Sequence, residues 1–496
     1  MLDICFINCD LKYETEAVVK LFFPLEHFGF LYDEENVGDE YIIIENVPGQ
    51  TVGIRLKIGE CERNEAVSSG ENAKETEENV CRALYLILSE FTGKKPEWGA
   101  LTGIRPVRKI NSLLDEGKAR NEIFGILNEK YFISEGKFSL CYDTALNQRL
   151  ALKTLDNNSI SLYVGIPFCP SRCSYCSFVS HSITSKGAMK LMDGYVRKLT
   201  EELKLIADAV NGTPFYINTV YFGGGTPTAL SAEDLSRIIS VVRQEFDLRG
   251  CEEFTVEAGR PDTIDRDKLC AMKEGGVTRI SVNPQSLSDS VLKKIGRIHT
   301  VDRFHEAFEL ARKTGFDNIN CDTIAGLPGD DEQGFENTLK ELIKLSPEGI
   351  TVHTLTVKTG ARLAGSSRDA FADDSAVSRE TKLARRLLSD SSYLPYYLYR
   401  QKNTIGNLEN TGYSKKGYEC LYNIYIMDET QNILAAGCGG STKLVAPGGK
   451  IKRVLNYKYP YEYISRFDKM TEYKRQGLKN DLLSLCKTYN AERSNL

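Results

Sequence analysis

Residues 163–177 read Y-V-G-I-P-F-C-P-S-R-C-S-Y-C-S. The run Leu162–Phe168 is short and almost wholly apolar, the pattern of a buried strand. Pro167 and Pro170 end the strand and open a loop. On that loop stand Cys169, Cys173 and Cys176, spaced C-x3-C-x2-C. Three thiolates on one loop can converge on a soft-metal centre, because thiolate sulfur suits iron–sulfur clusters and zinc. Three ligands suit a cluster of four irons with one iron left open. A structural zinc wants a fourth protein ligand, and the nearby positions hold only Phe178 and His181. On spacing alone, zinc and a plain cysteine-containing core stay open beside the cluster.

The second motif is Y-F-G-G-G-T-P-T, Tyr221–Thr228, at the end of another apolar run. Glycines let a backbone pass close to a ligand without Cβ clashes. Ser231, with Asp234 three residues on, reads as the cap of the helix that follows.

From residue 160 the pattern alternates strand and helix. Strands are expected near 161–168, 219–223, 253–258, 279–284, 318–325 and 349–357, with helices near 187–210, 231–246, 263–274, 288–314 and 331–346. Six such units imply a parallel sheet with outer helices, and ligands then sit at the carboxyl ends of the strands. Those ends carry polar groups: Glu257 in F-T-V-E-A-G-R-P, Asn283 and Gln285 in I-S-V-N-P-Q-S-L, Arg297 and His299 in K-I-G-R-I-H, and Asp322 in I-N-C-D-T-I-A-G-L-P-G. Carboxylates, amides and a guanidinium around one mouth suit a zwitterion that also carries a ribose.

Residues 1–60 read as short strands, Asp3–Ile7, Tyr41–Val47 and Thr51–Ile58. Glu62–Glu78 reads as a solvated acidic loop running into a helix over Thr76–Thr92, closed by Gly93. The segment Trp98–Lys109 holds the single tryptophan with Arg105, Arg108 and Lys109. It reads either as an anion-contacting lid or as a packing element. Near the other end, Tyr397, Tyr399, Arg400 and Lys402 interleave rings and cations. That pattern suits either a stacking surface for a flat acidic ring system or an edge strand with two faces.

Fourteen cysteines in a chain whose start has no basic, apolar leader argue for reduced thiols in the cytoplasm rather than a disulfide framework. A net charge of −5 gives no support to nucleic-acid binding, and no apolar run reaches membrane-spanning length.

The three-cysteine loop together with G-G-G-T-P resembles the radical S-adenosylmethionine enzymes. Within them the chain is similar to the oxygen-independent coproporphyrinogen dehydrogenase (oxidase) group, in its HemZ branch, related to HemN and HemW. The resemblance covers roughly residues 158–450. It implies an α/β fold: a partial (β/α)6 barrel at 156–360, an α+β N-terminal domain with a helical connector at 1–155, and a smaller HemN-like domain at 361–496. It implies a 4Fe-4S cluster on Cys169, Cys173 and Cys176, which take part in catalysis. S-adenosylmethionine is expected at Tyr163, Tyr175, Gly224, Gly225, Thr226, Glu257, Gln285, Arg297, Asp322 and Ile324. The implied reaction turns two propionates of coproporphyrinogen III into vinyls, giving protoporphyrinogen IX, with a reducing donor such as flavodoxin or ferredoxin. Two residues depart from the pattern. Phe178 stands where decarboxylating members carry a further cysteine, and Tyr422 precedes Asn423 where the HemW branch has a histidine. The alternatives are therefore a haem-binding chaperone of the HemW type and a radical enzyme for another tetrapyrrole.

Overall fold

The computed structural model describes residues 2–24, 26–47, 51–178, 180–356, 361–365, 373–401 and 404–494. The chain forms two compact units: Met1–Ala145 with Asp373–Ser378 and Leu398–Glu409, and Leu146–Ala372 with Arg379–Tyr397 and Asn410–Leu496.

The first unit begins with β1 (Leu2–Ile7), α1 (Lys12–Phe22), β2 (Phe28–Leu31), β3 (Tyr41–Val47), β4 (Thr51–Ile58) and β5 (Cys61–Ser68). They make one sheet in the order β2-β1-β3-β4-β5. β1 runs parallel to both neighbours, and β3, β4 and β5 form an antiparallel meander. Strand alternation sends Val52, Ile54 and Leu56 of β4 into a core with Ile4, Phe6, Ile42 and Ile44. Val18, Val19 and Phe22 of α1 and Val80, Leu84 and Leu88 of α2 (Ala73–Thr92) join that core. Helix α1 carries no sequence signal at its start, since Leu11 holds the cap position without a side-chain bond.

The expected loop after Glu62 is partly wrong. Cys61–Ser68 is the edge strand β5, whose residues 62–66 are exposed. An edge strand is held by backbone bonds to one neighbour, and charged side chains protect its open side. Helix α2 starts earlier than its periodicity suggests, because Asn72 accepts a bond from the Glu75 N–H at 3.0 Å. Gly93 closes it in the left-handed region. Three helices follow, α3 (Pro106–Asp115), α4 (Arg120–Tyr131) and α5 (Glu135–Ala151). Trp98 is buried here, its Nε1 donating to Glu409 at 2.8 Å, with Lys137 on the other carboxylate oxygen at 2.6 Å.

The second unit is built on β6 (Ser159–Ile166). The short pair β7 (Phe168–Cys169) and β8 (His181–Ser182) follows, then α6 (Ala188–Val210), β9 (Tyr216–Gly224), α7 (Ala232–Glu245), β10 (Glu253–Glu257) and α8 (Arg266–Glu274). Next come β11 (Arg279–Ser281), α9 (Asp289–Lys294), α10 (Val301–Lys313), β12 (Ile319–Ala325), α11 (Glu332–Leu345) and β13 (Gly349–Thr354). Strands β6, β9, β10, β11, β12 and β13 are consecutive parallel neighbours, the six strands of a partial (β/α)6 barrel. Ser231 caps α7 on the Asp234 N–H at 3.1 Å. The single helix expected over 288–314 is two, because Gly296 adopts φ 77° and interrupts it.

The C-terminal part supplies α12 (Asp374–Asp390), β14 (Leu394–Arg400), β15 (Glu409–Ser414), α13 (Leu421–Asp428), β16 (Asn432–Gly437), β17 (Ser441–Val445) and β18 (Ile451–Leu455). It ends in α14 (Pro460–Ser465), α15 (Phe467–Gln476) and α16 (Leu478–Ser494). These strands extend the barrel sheet at both edges, giving the order β14-β15-β13-β12-β11-β10-β9-β6-β16-β17-β18. β16 lies parallel to β6, and β15 antiparallel to β13. β14 is an edge strand, and its Tyr397 and Arg400 are buried rather than offered as a stacking surface. Lys402 and residues 366–372 of the irregular stretch lie outside the described residues. Among the described residues no helix is long and apolar enough to cross a membrane.

Candidate functional site

The loop after β6 is tied down from two sides. The Gly225 N–H donates to Ile166 O at 2.7 Å and the Thr226 N–H to Phe168 O at 2.8 Å. A Cβ on Gly225 would stand 2.6 Å from Phe168 O, and one on Gly224, at φ 110°, 3.0 Å from Ile166 N. The backbone of the neighbouring segment thus by itself requires glycine at both positions. From the other side, the Ser174 N–H donates to Ile295 O at 2.9 Å and Ser171 Oγ to Gly296 O at 3.1 Å. The helix break between α9 and α10 therefore meets the cysteine loop and presents Arg297 beside it.

All fourteen cysteines are free thiols. Cys173 is buried, and Cys169 and Cys176 are half-buried, with burial pushing both of their thiol pKa values up. Thr226 Oγ1 lies 3.5 Å from Cys169 Sγ, and Arg260 Nη1 lies 3.7 Å from Cys173 Sγ. Arg260 is itself fixed by Ser171 O and Oγ, each at 3.1 Å, and by Asp262. Among the described residues no three His, Cys, Asp or Glu side chains are gathered around a point that one ion could occupy. A cluster takes each thiolate on a separate iron, so it asks for three sulfurs on one loop rather than at one point.

Arg297 is buried. Its Nη1 donates to Asn283 O at 2.6 Å and its Nη2 meets Tyr175 OH at 3.3 Å. Among the described residues its Nε has no partner and no carboxylate is hydrogen-bonded to it, which leaves room for an anion. Gln285 sits at φ 70°, bridged to Thr323, and its buried Oε1 has no partner among the described residues. Asp322 is held by Asn283 Nδ2 at 2.7 Å and Asn320 Nδ2 at 2.8 Å, with His353 Nε2 at 3.7 Å. Burial works to raise its pKa, but His353, Asn320 and Thr351 outweigh it and hold the carboxyl below its usual range. Glu257 goes the other way: burial pushes it up to about 7 despite a 2.6 Å bond from Tyr221 OH. Two carboxylates of one rim are thereby driven apart in acidity.

Tyr221 stacks on Tyr422 at 4.4 Å, and Tyr163 lies 6.3 Å from the first and 6.1 Å from the second. Ile324 is buried and pairs with His353 across β12 and β13. His299, which sequence places on the same rim, is instead buried 3.7 Å from Asp262. Sequence reading passed over Arg260 although it stands in the quoted E-A-G-R-P. It also gave no role to Tyr221, or to Tyr422 as its stacking partner, because the two rings are some two hundred residues apart in the chain.

The orphaned Gln285 Oε1, the unpaired Arg297 Nε and the thiol loop together fit an anionic, hydroxyl-bearing cofactor beside a thiolate-held cluster. The sequence profile of the Radical SAM superfamily matches residues 163–342. The oxygen-independent coproporphyrinogen-III oxidase-like protein HemZ of Bacillus subtilis (strain 168) is 38% identical over 407 residues, 81% of each chain. The heme chaperone HemW of Escherichia coli (strain K12) is 31% identical over 301 residues, 61% of this chain and 74% of that one. Among solved structures, coproporphyrinogen III oxidase (HemN) from Escherichia coli superposes with a TM-score of 0.51 at 21% identity, over 66% of this chain and 72% of that one.

Proposed function

We propose a function from the premise that this chain belongs to the radical SAM superfamily, and within it to the oxygen-independent coproporphyrinogen-III oxidase-like group. Membership brings a 4Fe-4S cluster and S-adenosylmethionine. When bound, they supply one-electron reductive cleavage of a sulfonium C–S bond and, from it, hydrogen-atom abstraction from carbon. Cys169, Cys173 and Cys176 hold the cluster, and Arg260 places positive charge on the Cys173 sulfur. Arg297 receives the methionine carboxylate, Asp322 and Gln285 the ribose hydroxyls, and Glu257 a donor group of the same ligand. Tyr163, Tyr175, Gly224, Gly225, Thr226 and Ile324 shape the walls of that site. Residues 1–155, 156–360 and 361–496 act as N-terminal domain, radical barrel and HemN-like extension.

The reaction we assign is oxidative decarboxylation of coproporphyrinogen III. A propionate arm would lose one hydrogen atom to the adenosyl carbon freed from S-adenosylmethionine, then CO2, with one electron passing to a one-electron acceptor, and so leave a vinyl group; two rounds would give protoporphyrinogen IX. The carrying observation is the buried Arg297 beside the cysteine loop, to which no carboxylate is hydrogen-bonded among the described residues and which therefore favours an anionic cofactor there. Kinship supplies the substrate. The electron comes from a donor of the flavodoxin or ferredoxin kind, and fourteen unpaired thiols favour a cytoplasmic setting. A second reading, a haem-holding chaperone, is favoured by Phe178, which is 63% exposed where decarboxylating members carry a cysteine. Against it, Tyr422 is locked in a ring stack.

The test is anaerobic. The reconstituted protein receives S-adenosylmethionine and a reductant, and 5′-deoxyadenosine is quantified with and without coproporphyrinogen III while product mass is followed. The expected result is substrate-dependent cleavage with successive losses of CO2 and hydrogen. Slow cleavage indifferent to the porphyrinogen, with no change of mass and tight haem binding, overturns the assignment in favour of the chaperone.

A further inference from the structure

Arg260 follows the end of β10, in the run E-A-G-R-P, and is buried. A guanidinium carries five N–H donors in a rigid planar fork. Each of the five has an acceptor within reach. Nε and Nη2 donate to the two carboxylate oxygens of Asp262 at 3.0 and 3.1 Å. Nη2 also donates to Ser171 Oγ, and Nη1 to Ser171 O, both at 3.1 Å. The second N–H of Nη1 is left for Cys173 Sγ, 3.7 Å away. Both ends of that contact are closed to water, with Arg260 3% and Cys173 7% exposed.

Arginine keeps its protons in proteins, so in this contact the guanidinium donates and the sulfur accepts. A thiol is a weak acceptor, whereas the thiolate that ligates a metal carries a full negative charge. Reduction adds an electron to a thiolate-held cluster and makes its sulfurs better acceptors still. A donor and a positive charge at one sulfur therefore stabilise the reduced form more than the oxidised one, and the potential rises. Asp262 opposes this from another edge of the same guanidinium. Burial works to raise its pKa, but His299 and Arg260 outweigh burial and hold the carboxyl below its usual range. Its negative charge is thus present at neutral pH and cancels part of the arginine's field.

Given the cluster assigned above to Cys169, Cys173 and Cys176, we propose that Arg260 and Asp262 together set its reduction potential. Arg260 raises the potential through Cys173 Sγ, and Asp262 holds part of that rise back. The pair fixes how readily a low-potential one-electron donor fills the cluster, whatever the substrate. The two residues act with opposite sign, although they form one ion pair. A purely structural role would give both substitutions the same sign, through a loosened loop.

The full-length protein is reconstituted anaerobically as wild type, Arg260→Met, Arg260→Lys and Asp262→Asn. Iron and sulfide per chain are measured first. Each sample is then poised with dithionite and mediators, without S-adenosylmethionine or porphyrinogen, and the reduced cluster is counted by low-temperature electron paramagnetic resonance. At the potential that half-reduces wild type, the ratio of reduced to oxidised cluster should fall at least tenfold in Arg260→Met, which is about 59 mV for one electron. It should fall less in Arg260→Lys and rise several-fold in Asp262→Asn. An unmoved ratio in a fully loaded Arg260→Met, or a fall in Asp262→Asn, overturns the proposal and leaves the cluster reading standing. A wild-type chain that takes up no iron and sulfide overturns both. Should Arg260→Met fail to load, Asp262→Asn decides: a raised ratio supports the proposal, and an unchanged or lowered one overturns it.

Discussion

Glu257 shows how one residue's setting becomes measurable. Its folded pKa of about 7 exceeds its ordinary value of 4.5, chiefly through burial. The folded state therefore holds a proton that the unfolded state has released, and stability falls as pH rises through that interval. Removing the ionisation removes the penalty. We expect Glu257→Gln in the cofactor-free protein to gain melting temperature over wild type between pH 5 and pH 7, with the gap closing below about 4.5; parallel melts across that range check it. An unchanged gap at all pH values means that Glu257 is solvated. The identity of Glu257 was legible in sequence because it ends an apolar run, but its shifted acidity was not. That shift depends on Tyr221 and Asp322, which other strands bring to it.

Among elements, the Gly loop and the cysteine loop behave as one piece. Gly225 is in hydrogen-bond and near-contact range of Ile166 and Phe168. Gly225→Ala places a methyl 2.6 Å from a carbonyl oxygen that belongs to backbone, so the two segments must part. Overpacking of this kind costs about 1–3 kcal/mol. The expected outcome is a lowered urea midpoint together with reduced iron and sulfide per chain after reconstitution, although no thiol has been altered. Full cluster loading in Gly225→Ala would show that the loops tolerate separation. The motif itself was readable from the glycines and the proline. The helix break that delivers Arg297 was not, because residues 288–314 keep an amphipathic rhythm on both sides of Gly296.

At the scale of the molecule, the C-terminal helices are fastened to the barrel through one buried acid. Glu202 of α6, fully buried, accepts from Lys474 of α15, from Tyr463 OH at 2.5 Å, from Asn456 Nδ2 at 2.8 Å and from the Gly437 N–H at 2.7 Å. Beside it, Tyr195 OH donates to Gly165 O and accepts from the Cys438 N–H at 2.9 Å, which joins β6 to the end of β16. Lys474→Met strands the carboxylate without its cation, which costs about 3–5 kcal/mol. The double variant with Glu202→Gln should recover part of that loss, and urea unfolding of both checks it. Equal destabilisation of single and double variants would mean that the cation contributes by packing alone. The chain by itself determined where the strands and helices of the barrel lie, which loop carries the thiols and which polar residues stand at strand ends, because periodicity, turn residues and side-chain chemistry are local. Only the tertiary structure decided that β16 closes against β6, that Tyr422 stacks on Tyr221 and that β5 is an edge strand. Strands join through backbone N–H and C=O groups that nearly every residue shares, so a strand's side chains state which face is buried but not which neighbour it will have.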